Sequence, residues 1–135
     1  MRFLIDTSVL IALSQNDKGT LAVVRALRPH FSHPPGISFM TYMEFYYGLM
    51  NKDEKKRQAL LSYLQSFPLV LPTAKTAELL AMLKHEHRKK GDTIALADLF
   101  IAAQALEEKC ALVTSDADFR RIKGLQIIAA RCVVR

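Results

Sequence analysis

Short apolar runs alternate along this chain with longer stretches in which apolar residues recur at helical spacing. That succession predicts an α/β domain with a mainly parallel central sheet flanked by helices. Arg2 to Ile5 reads as a first strand and Val9 to Leu13 as the start of a helix. Asp17 is placed to cap a further helical piece over Leu21 to Leu27, which Pro29 ends. After the loop HFSHPPG come a strand over Ile37 to Met40 and a helix, TYMEFYYGLM, opened by Thr41. Lys52 to Phe67 carries Leu60, Leu61 and Leu64 on one side and charged residues on the other, as a surface helix does. The spacing then predicts a brief strand at Leu69 to Leu71, a helix over Ala74 to Lys90 closed by Gly91, and another over Ala95 to Lys109. Cys110 to Thr114 and Leu125 to Ala129 supply the remaining strands, with a short helix from Asp116 to Lys123 between them.

Acidic residues interrupt this pattern at places where a carboxylate is expensive. Asp6 sits inside FLIDTSVLIAL, where burying an unpaired charge costs several kcal/mol or more. It follows the first strand, at the sheet edge where open α/β folds bind ligands, although capping the next helix is a plainer role for it. Glu44 is the only acid in an apolar and aromatic turn, and TYME also fits a capping box with Glu44 at its third helical position. Asp98 has Ile94, Ala95, Ile101 and Ala102 as its helical neighbours and lies off the polar side marked by Gln104 and Glu107. A helix starting near Ile94 leaves Asp98 too deep for a first-turn role, whereas a start at Ala97 would give it one. In TSDADF, Asp116 repeats the strand-then-aspartate arrangement of Asp6. If the short helix begins after Ser115, Ser115 caps it and Asp118 falls at the third position of a capping box. Asp116 is then the predicted ligand, and Asp118 a helix-start residue or a contact made through water.

Several carboxylates in one pocket repel one another unless their protons are retained or cations enter. Oxygen-only donors select Mg²⁺, with Mn²⁺ able to substitute, and such ions serve phosphodiester hydrolysis by activated water. The net charge of +6 favours a polyanionic partner. Arg120, Arg121 and Lys123 follow Asp116 closely enough to face a phosphate. The clusters at 55–57 and 88–90 have Asp53 and Glu86 four residues ahead of Arg57 and Lys90, the pattern of solvated helix faces with weak ion pairs.

The remaining features narrow the alternatives. At 135 residues, half of them hydrophobic, the chain suffices for one domain over 1–135. No apolar run approaches the roughly 20 residues that span a bilayer, so a soluble cytoplasmic protein with no membrane partner is expected. Cys110 and Cys132 lie in apolar contexts without CxxC spacing and read as buried free thiols. His85 and His87, two apart on a helix, point in different directions and do not suggest zinc. No glycine-rich phosphate loop is present. A phosphatase or phospho-acceptor domain with Asp6 as nucleophile is a rival reading.

At FLIDTSVLIAL, ISFMTYMEFYYGL, ALADLFIAAQALE and LVTSDADFRRI the chain resembles the PIN-domain nucleases, and specifically their VapC-type toxins. These stretches run in order from Phe3 to Ile122, whereas Asn51 to Lys90 matches only in helical character. The resemblance implies a PIN-like fold and an acidic quartet, Asp6, Glu44, Asp98 and Asp116, that holds Mg²⁺ or Mn²⁺ and supports RNA hydrolysis. It implies hydroxyls at Thr114 and Ser115 beside the same pocket, a homodimer and a cognate antitoxin. A catalytically inactive RNA-binding module is the alternative it leaves.

Overall fold

A computed structural model describes residues 1–130 of the chain; the expected thiol of Cys132 lies outside the described residues. Five strands, β1 (Phe3–Ile5), β2 (Gly36–Ser38), β3 (Leu69–Val70), β4 (Ala111–Thr114) and β5 (Ile127–Ala129), form one sheet in the order β3-β2-β1-β4-β5. Every pairing is parallel, with Leu4 opposite Gly36 on one side and Leu112 on the other. Six helices surround it: α1 (Thr7–Ser14), α2 (Lys18–Leu27), α3 (Phe39–Leu49), α4 (Glu54–Gln65), α5 (Ala74–Lys89) and α6 (Leu96–Glu107). Two 3₁₀ turns, Arg28–His30 and Ala117–Arg121, complete the elements of the described residues.

The strands are short and mainly apolar because both faces of the sheet are covered, with Ser38 and Thr114 as polar ends of β2 and β4. Phe3, Ile5, Ala111 and Val113 pack on one face with Val9, Leu10, Phe45, Leu49 and Leu64 of α1, α3 and α4. Leu4 and Leu112 point the other way, toward Leu83 of α5 and Leu99, Ile101 and Ala102 of α6. Burying each such Leu, Ile or Phe contributes about 1.5–3 kcal/mol, which holds the strand ends in place. Among the described residues the free thiol is Cys110, and it is buried. Burial also pushes the Cys110 thiol above its ordinary value.

Several element boundaries differ from expectation, each for a local reason. β2 stops at Ser38, whose side chain accepts the Met40 N–H (3.0 Å) and so opens α3 three residues before the expected start at Thr41. Thr41 becomes the third helical residue, Glu44 falls in the second turn, and the expected TYME capping box does not form. α6 begins at Leu96 without a side-chain cap, which puts Asp98 in the first turn. Asp98 is therefore half-buried at the helix start rather than deep inside it. Gln104, assigned by periodicity to the polar side of α6, is wholly buried. Its Oε1 accepts from Ser38 Oγ (2.6 Å) and Phe39 N–H (2.9 Å), and its Nε2 donates to the Val70 carbonyl (2.9 Å). The expected capping box at Ser115 is also absent: Asp116 itself caps the 3₁₀ turn, accepting the Asp118 N–H at 2.9 Å. Arg57 pairs with Glu54 (2.6 Å), while Asp53 caps α4 and Lys90 pairs with Glu86 as expected.

Candidate metal centre

The chain leaves β3 at one edge of the sheet and re-enters at β4, beside β1, so the strand order reverses between β1 and β4. In open parallel sheets the crevice outside the carboxyl ends at such a reversal is where ligands bind. Asp6 follows the end of β1 there, and Asp116 lies just past the end of β4. α3 starts from the carboxyl end of neighbouring β2 and carries Glu44. Asp98 enters from the first turn of α6.

Asp6 is 3% exposed, and both oxygens of its carboxylate accept hydrogen bonds. Oδ1 accepts from Ser8 Oγ (2.7 Å) and from the Val9 N–H (3.0 Å), and Oδ2 from the buried Thr114 hydroxyl. Asp6 thus caps α1, the plainer role foreseen for it. Burial and, further down, the charge of Asp116 still raise its pKa, against the lowering effect of those hydrogen bonds. Thr114 also accepts the Asp116 N–H at 3.0 Å, so a single hydroxyl ties the ends of β1 and β4 together. Ser115 donates to Ser8 Oγ at 2.9 Å and supports the same corner.

Glu44 is held by a residue the sequence reasoning passed over. Thr7 Oγ1 donates to Glu44 Oε1 at 2.5 Å and lies 3.1 Å from the Oγ1 of wholly buried Thr41. The signal was available, since Thr7 stands directly after Asp6 in a strand-to-helix turn where its hydroxyl must face the same crevice.

Asp98 reports the electrostatics of the whole site. Its pKa is raised to about 6, first by burial and then by the charges of Asp116, Glu44, Asp6 and Asp118. Each of these four acids is therefore close enough to Asp98 to repel its charge. Asp98, Asp116 and Asp118 each offer a carboxylate oxygen, and these atoms lie within 4.8 Å of one another, so this trio could hold a metal ion. Asp118 stands in that trio on the same footing as Asp116. A divalent cation among these oxygens would relieve their mutual repulsion.

The basic residues separate. Arg121 is committed to the protein, with Nη2 3.4 Å from Asp118 Oδ1 and donating to the Thr93 carbonyl at 3.0 Å. Arg120 is exposed and lines a cavity of about 230 Å³ with Thr114, Ser115 and Asp116. His85 is exposed and His87 buried, as their spacing implied.

The PIN domain family matches residues 3–125, nearly the whole described chain. The chain belongs to the PIN-domain family. Sequence comparison with functionally curated proteins gave no match. Among solved structures this PIN domain is similar to VapBC2 from Rickettsia felis bound to a fragment of its promoter DNA. The TM-score there is 0.83, with 25% identity over 96% of this chain and 98% of that one. It also resembles the DNA-bound VapBC of Salmonella typhimurium (TM-score 0.80, 20% identity, 97% and 99% covered). VapBC-1 from nontypeable Haemophilus influenzae is similar as well (0.78, 23%, 96% and 98%). The last two likenesses concern the fold, which this PIN domain shares end to end. Among the described residues no helix of the PIN domain is long and apolar enough to cross a membrane.

Proposed function

We propose that this PIN domain is a metal-dependent endoribonuclease, the toxin of a toxin-antitoxin pair, using Mg²⁺ with Mn²⁺ able to substitute. The observation that carries this is the convergence of five carboxylates at the β1/β4 crevice, with Asp98 pushed up to about 6 by burial and by the other four. The donors are all oxygen, which suits a hard cation. Asp98, Asp116 and Asp118 would hold it, with Asp6 and Glu44 completing the negative wall. A bound divalent ion supplies an activated water and offsets charge that builds on the phosphate oxygens. The chain's own contribution is rigidity: Thr114, Ser8 and the Val9 N–H fix Asp6, and Thr7 fixes Glu44. The net charge of +6 supports a nucleic-acid substrate despite the acidic centre. The likeness to VapBC structures supports the toxin assignment. The enclosure of Asp6, with both oxygens taken, weighs against its acting as a phosphatase nucleophile.

The same reading includes a homodimer and an antitoxin. Phe39, Met43, Tyr46, Tyr47 and Met50 form an exposed stripe along α3, each at least 42% accessible, and such an apolar surface suits a protein partner. Beside it a cavity of about 340 Å³, lined by Ile11, Phe45, Leu49 and Leu60 with Glu44, Lys52 and Lys56 at its wall, suits an apolar antitoxin segment, whose Arg or Lys would reach past Glu44 to the other acids. Purified protein should cleave single-stranded RNA with Mg²⁺ or Mn²⁺ and stop in excess EDTA. Undiminished cleavage in EDTA would remove the metal from the proposal, and no cleavage with either ion would remove the nuclease.

A further inference from the structure

α5 ends in a Schellman turn. Gly91, at φ 78°, donates its N–H to the Arg88 carbonyl (3.1 Å), and Asp92 donates to the His87 carbonyl (2.9 Å). The turn folds Asp92 back over the helix end, where its Oδ2 lies 3.4 Å from His87 Nδ1. His87 is 3% exposed. Asp92 is thereby drawn inward, toward the imidazole, instead of pairing with the basic residues around it. A recess of about 290 Å³ opens at this corner, lined by Lys84, His87, Arg88, Asp92, Thr93 and Leu99.

Lys84 and Arg88 stand four residues apart on one side of α5, both exposed. Among the described residues neither makes an ion pair or a side-chain hydrogen bond, unlike Arg57, Lys90 and Arg121. Arg121 links the recess to the acidic crevice. Leu99 in its wall directly follows Asp98, and the Arg121 nitrogen that holds the Thr93 carbonyl also touches Asp118. An acidic centre repels every phosphate except the one its cation holds, so a strand crossing it needs cations immediately to the side.

We propose that Lys84 and Arg88 form a subsite for a backbone phosphate of single-stranded RNA flanking the bond that is cut, with buried His87 as its floor. The subsite deepens the nuclease assignment and rests on it. Contacting phosphate and not base, it fixes the strand's path without choosing its sequence.

The test is fluorescence anisotropy with a short mixed-sequence single-stranded RNA in EDTA across a salt series. It compares wild type, the double variant Lys84→Gln/Arg88→Gln, and a charge-matched control, Lys18→Gln/Lys55→Gln, at the starts of α2 and α4. Loss of one or two phosphate contacts should make the slope of log affinity against log salt shallower by about 0.7–1.4 and weaken binding at low salt about fivefold or more. In Mg²⁺ the double variant should raise KM for RNA cleavage and keep kcat. An unchanged slope in the double variant, or an equal change in the control pair, overturns the subsite. Binding that depends on Lys84 and Arg88 in a protein that never cleaves RNA upholds the phosphate contact but overturns the nuclease, and with it the subsite's place beside a cleaved bond. A wild type that does not bind the RNA overturns both.

Discussion

Replacing Asp98 by Asn should stabilise the metal-free protein at neutral pH. Burial, and then the charges of Asp116, Glu44, Asp6 and Asp118, make the folded state hold the Asp98 proton up to about pH 6, against 3.8 for the ordinary side chain. In that window the folded state binds more protons than the unfolded one, so stability falls as pH rises. The contribution is fully present below about pH 4 and is lost as pH rises through about 6, the reverse of a salt-bridged aspartate. A shift of this size is worth about 3 kcal/mol in a dry site. Asp98 is only half-buried and faces exposed Asp116 and Asp118, so screening brings it to roughly 1–1.5 kcal/mol. Losing a carboxylate from the first turn of α6 costs roughly 0.5 kcal/mol of helix-dipole interaction. Asp98→Asn should therefore gain roughly 0.5–1 kcal/mol net and melt roughly 2–4 °C above wild type at neutral pH in EDTA, an advantage that disappears toward about pH 4. Paired thermal melts followed by circular dichroism, in EDTA and then in excess Mg²⁺, measure this. Mg²⁺ should raise the wild-type Tm and close the gap. A variant no more stable than wild type at neutral pH, or a difference that does not vary with pH, would refute the reasoning.

Other outcomes follow from the same contacts. Asp116→Asn and Asp118→Asn should each weaken Mn²⁺ binding about tenfold or more, because both belong to the oxygen trio with Asp98; calorimetric titration showing that Asp118→Asn binds like wild type would remove Asp118 from the site. Thr7→Val should weaken Mn²⁺ binding by about tenfold and also cost about 1 kcal/mol or more of stability, since it frees Glu44 and takes a partner from the buried Thr41 hydroxyl; unaltered Mn²⁺ affinity would mean that Glu44 needs no such support. Gln104→Met should cost about 3 kcal/mol or more in urea denaturation by stranding Ser38 Oγ, the Phe39 N–H and the Val70 carbonyl; a loss under about 1 kcal/mol would show that those groups find other partners.

The order of strands and helices was legible because each strand's apolar run is bounded by a polar turn, and the parallel sheet follows from the helices between strands. What sequence could not show were bonds between distant residues. Gln104 looks like a surface residue by periodicity, and it is buried because its amide meets Ser38, 66 positions away. Ser115 looks like a helix cap, and its hydroxyl turns instead to Ser8, 107 positions back, leaving Asp116 to cap the turn and Asp118 to join the acids. The late start of α6 carries no marker, since the methyl of Ala95 cannot cap a helix and so does not announce it. The acids themselves were conspicuous because each interrupts an apolar pattern. The hydroxyls that brace them, Thr7 above all, were not, since a threonine at the edge of a core costs little and attracts no notice.

The three bonds of Gln104 also bear on how the molecule comes apart. One amide joins the start of α3, the end of β2 and the edge strand β3 to a helix on the opposite side of the sheet. Any partial opening that lifts α6 away breaks bonds to three segments at once, which adds roughly 1.5–4.5 kcal/mol to its cost. The Phe39 amide should accordingly exchange with deuterium only through global unfolding, although its ring is 43% exposed, while amides of the exposed Ala117–Arg121 turn exchange through local fraying. The two carboxylate-bearing helices, α3 and α6, are thus members of a single cooperative unit, and the spacing of Glu44 and Asp98 persists for as long as the fold does.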